Sequence, residues 1–170
     1  MEVIGYKCFN KDMTNSYGMK FEEGKTYIAE GEIIFGTRGN GYHMAERLED
    51  TLKFFYADEE EVNICLVKGS GNIVSSFDQV YDYYDMYSVE KLSIIKKLTR
   101  EEIINYGLNL HQERVKRFIA GFKLTEEEII LFKNKFSYSD EVLSFIEYYQ
   151  EKKYDAFHNR MKRLKRIIRK

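Results

Sequence analysis

The chain has no proline and no tryptophan, two cysteines and three histidines among 170 residues, and no glycine after Gly121. Without proline, glycine is left as the residue that breaks a regular element through its backbone alone. The sequence gives no physical reason for the absence itself. Without tryptophan the core falls to medium rings, and 14 tyrosines and 12 phenylalanines supply them. Cys8 and Cys65 are far apart and in no metal-type spacing, which argues against a disulfide framework or a cysteine zinc site. Both lie among apolar neighbours and read as buried free thiols. His111 and His158 are the only companions of His43 and fall in the later part of the chain, so no metal centre is expected. No apolar run approaches the ~18 residues of a membrane span, and no secretory h-region opens the chain. A reducing cytoplasm is the expected compartment.

What is present supports a folded core. Hydrophobic residues make up 44% and aromatics 15%, too much for wholesale disorder. The length fits one domain, or a small domain with an appended helical lobe. The net charge of −1 hides an asymmetry: residues 1–98 carry 11 Lys+Arg against 17 Asp+Glu, and residues 99–170 carry 16 against 11. The two parts are therefore −6 and +5, and the stretch 156–170 holds seven basic residues and no acid.

Taken in order, the first 98 residues read as strands with one main helix. Val3–Phe9 alternates as a strand, Tyr27–Ala29 is extended, and Glu32–Phe35 is a further short strand. Gly39 and Gly41 break the chain before Tyr42-His43-Met44, the end of another strand. From Glu46 the period changes: Leu48, Leu52 and Phe55 recur at helical spacing, with Glu49, Asp50 and Lys53 on the other side. After the acidic loop Asp58–Glu61, Val62–Val67 is a buried strand, Gly69–Asn72 a tight connection, and Ile73-Val74 the start of the next strand. Lys68-Gly69-Ser70-Gly71 lacks the length and the following helix of a phosphate-binding loop and reads as a hairpin turn. Val89–Leu98 closes the part. Thr99-Arg100-Glu101-Glu102 and Thr125-Glu126-Glu127-Glu128 then match capping boxes, and Ser139-Asp140-Glu141 is a third helix start. Helices are expected at about 100–120, 126–135, 140–150 and 151–169. The fold class is α+β: a mixed or antiparallel sheet domain (1–98) in a half-barrel or split-sheet arrangement, then a helical lobe (99–170).

The glycine corner is the candidate site, because a turn, a strand end bearing His43 and a helix form a concave angle where ligands tend to sit. His43 can donate and accept as a neutral imidazole, act as a base, or bond to backbone in a core. Arg38 is placed to steer phosphate into the turn or to be solvated. The run Gly39-Asn40-Gly41-Tyr42-His43-Met44-Ala45, followed by an amphipathic helix with an aromatic pair, resembles the Gly-Tyr-Phe-Ala corner of ADP-ribosyltransferases of the poly-ADP-ribose polymerase type. That resemblance covers about residues 1–98. It implies a nicotinamide pocket lined by the strand, an NAD-like nucleotide as ligand, and contacts from Tyr6 or Lys7 on the first strand. The family's cofactor-gripping histidine or arginine is replaced by Tyr6-Lys7-Cys8, and its stacking tyrosine by His43. Its closing glutamate is met only by Asp82, Tyr83, Tyr84 and Asp85, among which Asp82 and Asp85 are catalytic candidates alongside His43. These departures imply a relative without the standard transferase activity.

A second resemblance rests on three motifs in order: Tyr6-Lys7-Cys8-Phe9, Gly24-Lys25-Thr26-Tyr27 and Gly41-Tyr42-His43. It is to a family of uncharacterised bacterial and phage domains, which implies no activity. No Ser-His-Asp or Cys-His set can be placed by spacing, so enzyme or non-enzyme stays open. Near the C-terminus Tyr154, Phe157, Met161, Leu164 and Ile168 recur three and four apart. Arg160, Lys162, Arg163, Lys165, Arg166 and Arg169 take the other faces. The segment suits a terminal helix with a solvated side, a partner helix, or a salt-dependent nucleic-acid surface. The second functional expectation is thus a non-enzymatic protein of phage or mobile-element origin that binds a protein or nucleic acid through this lobe.

Overall fold

The computed structural model describes residues 1–36, 39–55, 62–76 and 86–153. It divides into two compact units, Met1–Arg100 and Glu101–Lys170. The protein is α+β, with a five-stranded sheet in the first unit and helices in the second.

The sheet is built from β1 (Glu2–Asn10), β2 (Thr26–Ile28), β3 (Tyr42–Ala45), β4 (Val62–Ser75) and β5 (Met86–Lys97), and every pairing is antiparallel. β4 lies between β1 and β5, while the other edge of β5 takes β2 (Tyr27↔Leu92) and β3 (His43↔Ser88). β3 in turn meets β1 through the pair Tyr6↔Ala45. The pairings β1–β4–β5–β3 therefore close a ring with β2 attached outside it. The expected half-barrel or split sheet is corrected to a ring with one thin seam. Gly5 makes that seam possible, since a Cβ there would stand 2.2 Å from the Ala45 carbonyl oxygen and 2.9 Å from Met44 Cε.

Alternation along the strands, with a change of face in β5 between Val89 and Leu92 at the register shift, sends Phe9, Met44, Cys65, Val67, Val89, Leu92 and Ile94 into one core. Phe21, from the loop after β1, joins it with ring centroids 4.8 Å from Phe9, 4.7 Å from Tyr27 and 5.9 Å from Tyr42. The opposite face receives α1 (Leu48–Phe55), which buries Leu48 and Leu52 and aligns Thr51 with Cys8.

Three expectations in this unit need correcting. Glu32–Phe35 is no strand; one backbone bond, Ile34 N–H to the Asn40 carbonyl (3.0 Å), folds it against the glycine turn. Gly69–Asn72 is no turn: β4 runs through it, and the pairing slips between Ser70 and Ile73 as a bulge. Gly71 supplies the positive φ of +82° that the bulge needs, and Glu90 Oε2 accepts the Asn72 N–H at 2.9 Å. Glu49 and Asp50, assigned to the solvent side, are 2% and 0% exposed.

The second unit contains α2 (Arg100–Leu108), α3 (Gln112–Gly121), α4 (Glu126–Lys135) and α5 (Asp140–Ile146), the last continued by a π-helical stretch, Glu147–Lys153. The helix expected at 100–120 is two. His111 caps α3, its Nδ1 accepting the Glu113 N–H at 3.4 Å, so the chain turns at Asn109–His111 instead of continuing. Thr125 and Glu128 form the full capping box of α4, and Ser139 caps α5 through the Val142 N–H. Phe118, Phe122, Phe132 and Phe136 stack through this core, with successive centroid distances of 5.4, 5.7 and 6.2 Å for Phe118–Phe122, Phe118–Phe132 and Phe132–Phe136. No helix among the described residues is long and apolar enough to cross a membrane.

Candidate functional site

Beside the Tyr6–Ala45 pair the seam changes character. One residue further along β1, Lys7 turns its side chain to the core face with Phe9, and its Nζ donates to the backbone carbonyl of His43. Its ammonium also stands 5.7 Å from the centroid of the Phe9 ring. A charged amine thus bridges β1 and β3 next to the Tyr6–Ala45 pair. The position is unfavourable for charge: burial lowers the Lys7 pKa from 10.5 to about 8. The hydrogen bond and the ring do not compensate for the lost water.

His43 is half-buried on the other face of β3. Its Nε2 accepts the Gly36 N–H at 3.4 Å, and Phe35 meets the ring edge-on with centroids 5.1 Å apart. Burial, and after it the Lys7 charge, hold its pKa below the ordinary histidine value. The imidazole is therefore neutral at pH 7, and with Nε2 accepting, the proton sits on Nδ1.

The remaining expected site residues are distributed differently. Tyr42 belongs to the Phe21 aromatic cluster on the core face, and burial, with Tyr27 beside it, raises its pKa. Tyr6 is on the face of β1 opposite Lys7, paired across from Ala45. The structure joins Lys7 to His43 and leaves Tyr6 and Tyr42 in separate surroundings. Arg38, Asp82, Asp85 and the tail residues Arg160, Lys162, Arg163, Lys165, Arg166 and Arg169 lie outside the described residues, as do the Asp58–Glu61 run and Tyr81, Tyr83 and Tyr84.

Cys8 and Cys65 are both buried and free, on opposite faces of the β1–β4 pair. The Cys8 thiol donates to Thr51 Oγ1 at 3.2 Å, and burial pushes each thiol up to about 12, which leaves them unreactive. Among the described residues, no three histidine, cysteine or carboxylate side chains gather as metal ligands.

Sequence reasoning missed Phe35 and Gly36 as the groups that hold the imidazole, because Ile33-Ile34-Phe35 has a strand's composition. It also missed the burial of Glu49 and Asp50. The one available signal was their place in the first turn of α1, where the helix dipole favours carboxylates.

A family model described as Domain of unknown function (DUF7666) matches residues 3–106. The chain belongs to this family. The DUF7666 match runs from β1 into α2, so Lys7, His43 and the motifs Tyr6–Phe9, Gly24–Tyr27 and Gly41–His43 all lie within it. No curated protein and no solved structure matches the chain.

Proposed function

We propose that the DUF7666 unit is a ligand-binding domain that receives an anionic, nucleotide-like molecule at the Lys7–His43 seam. In this reading the domain is a distant relative of the ADP-ribosyltransferases and does not carry out their standard transfer. The observation that supports it is the Lys7 ammonium, half-buried at a single-pair seam with its pKa down at about 8. A cation kept in place against its desolvation is a functional-site signature. A phosphate or carboxylate oxygen accepting from Nζ would supply a counter-charge, which no carboxylate among the described residues offers Lys7. The neutral imidazole, with its proton on Nδ1, adds a donor of suitable strength for a ribose or base edge.

The test is thermal denaturation of the whole protein at pH 7 with NAD, ADP-ribose, AMP or inorganic phosphate at millimolar concentration. At ten times Kd a ligand adds about 1.4 kcal/mol, a rise of several degrees for a unit this size. Lys7→Met and His43→Ala should each remove the rise. Melting curves unmoved by all four compounds would refute the proposal, and a rise that survives Lys7→Met would move the site elsewhere.

A further inference from the structure

Elsewhere in the protein, carboxylates hold lysines as ammonium ions. Lys25 meets Glu22 at 2.7 Å, Lys68 meets Glu2 at 3.2 Å, and Lys116 meets Glu113 at 2.9 Å and also Glu141. Hydrogen bonds to these carboxylates raise the pKa of Lys25 and of Lys116. Lys7 is built the other way. Its Nζ donates to a neutral acceptor, the His43 carbonyl, and lies against the Phe9 ring, with no carboxylate among the described residues set against it.

The difference decides which form of the amine the contact holds. A carboxylate binds through charge and so favours the ammonium, whereas a carbonyl accepts an N–H from ammonium and neutral amine alike. The His43 carbonyl therefore keeps Nζ in place when the proton is lost, and turns the lone pair of the neutral amine away from itself. Burial favours that neutral form: at pH 7.5 about a quarter of Lys7 is free amine, against about one in a thousand for an ordinary lysine. The side chain is also reachable, since Lys7 is only half-buried, as are His43 and its ring neighbour Phe35. A desolvated, positioned amine beside an apolar ring is the arrangement that makes lysine a nucleophile toward carbonyl carbon.

We infer that Lys7 captures an aldehyde as a Schiff base, and that the aldehyde belongs to a phosphorylated sugar. The choice of a phosphorylated sugar rests on the reading of the seam as a site for an anionic, nucleotide-like molecule. The Nζ lone pair bonds to the aldehyde carbon, whose π electrons move to the oxygen, and one proton passes from nitrogen to that oxygen. The nitrogen then closes the C=N bond as the C–O bond breaks, and the hydroxyl leaves as water with the second amine proton. Nothing is oxidised or reduced. Protonation of the imine restores both the positive charge and an N–H for the His43 carbonyl.

Reductive trapping tests this on the whole protein at pH 7.5, with ribose 5-phosphate as the aldehyde, cyanoborohydride to fix the imine and peptide mass spectrometry to locate the label. Lys7 should be labelled at least tenfold faster than Lys68 or Lys91, and faster with ribose 5-phosphate than with ribose. Lys7→Arg, which keeps a cation but has no primary amine, should lose the fast label while Lys68 and Lys91 keep their slow one. Label at Lys7 no faster than at Lys68 overturns the inference, and equal rates with the two sugars overturn the phosphorylated class. AMP, which carries a phosphate and no free aldehyde, separates this failure from that of the binding site. A melting temperature raised by AMP, beside an unlabelled Lys7, removes the covalent step and leaves the anion site standing.

Discussion

Lys7→Met asks whether the ammonium at the seam is held at a cost to folding. The Lys7 pKa falls from 10.5 in the unfolded chain to about 8 in the fold. That shift corresponds to at most about 3.4 kcal/mol, because one pKa unit is about 1.36 kcal/mol. The side chain is only half-buried, so solvent screening reduces the figure to about 1–2 kcal/mol. The sign follows from proton binding. Between about pH 8 and 10.5 the unfolded chain holds the Lys7 proton and the folded chain releases it, so this residue makes stability rise with pH across that window. Below about pH 8 the full penalty is present.

Methionine keeps most of the apolar stem and removes the charge, at the expense of the donor to the His43 carbonyl, worth about 1 kcal/mol. The two effects partly cancel at pH 7, so the absolute change is a poor readout. Its pH dependence is a good one, because groups that Lys7 does not touch cancel in the difference, and the two it does touch, His43 and Cys8, stay neutral in the fold from pH 7 to 10. Urea unfolding of both proteins at pH 7, 8.5 and 10 should show the variant losing about 1–2 kcal/mol relative to wild type as pH rises. A difference that stays flat would mean that Lys7 carries its proton as easily in the fold as in water, and the seam would lose its claim to be a site.

Two further substitutions test the packing on either side of this argument. Gln150, buried in the π-helical stretch, donates to the Ile119 and Phe122 carbonyls and accepts the Leu124 N–H at 3.0 Å. Gln150→Leu removes all three bonds and should cost about 2–4 kcal/mol in urea unfolding; a loss below about 1 kcal/mol would show that these bonds add little to stability. Gly5→Ala puts a methyl 2.2 Å from the Ala45 oxygen and should cost about 2–3 kcal/mol while separating β1 from β3. An alanine variant as stable as wild type would show that the seam has slack.

The sequence was legible where a local pattern and a tertiary role agreed. β1, β3 and α1 follow from alternation and period, and Thr125–Glu128 and Ser139 mark helix starts by capping chemistry that operates within four residues. It failed where one composition serves two geometries. Gly69-Ser70-Gly71-Asn72 has the residues of a hairpin turn, but β1 and β5 on either side of β4 hold the strand straight and absorb the surplus as a bulge. Gly69 is needed there for space, since a Cβ would stand 2.6 Å from Val89 Cγ1. The break at Asn109–His111 was hidden because histidine is not among the usual capping residues. At the site, Lys7 and His43 were both visible as candidates. Their actual relation, an ammonium on a backbone carbonyl 36 positions away, depends on strand register and leaves no trace in spacing.

That relation joins the fold and the proposed site at one position. Gly5 lets β1 approach β3 closely at Ala45, and two residues later the Lys7 amine donates to the His43 carbonyl. The same ammonium thus closes the ring and is the charge an anion would seek. Both roles are compatible, because Nζ has three donors and only one is engaged by the His43 carbonyl. In the proposed complex a ligand oxygen would take one of the two remaining donors. An apolar residue at position 7 would close the sheet with less penalty. On the proposed reading, the charge at this position serves an anion more than it serves the sheet.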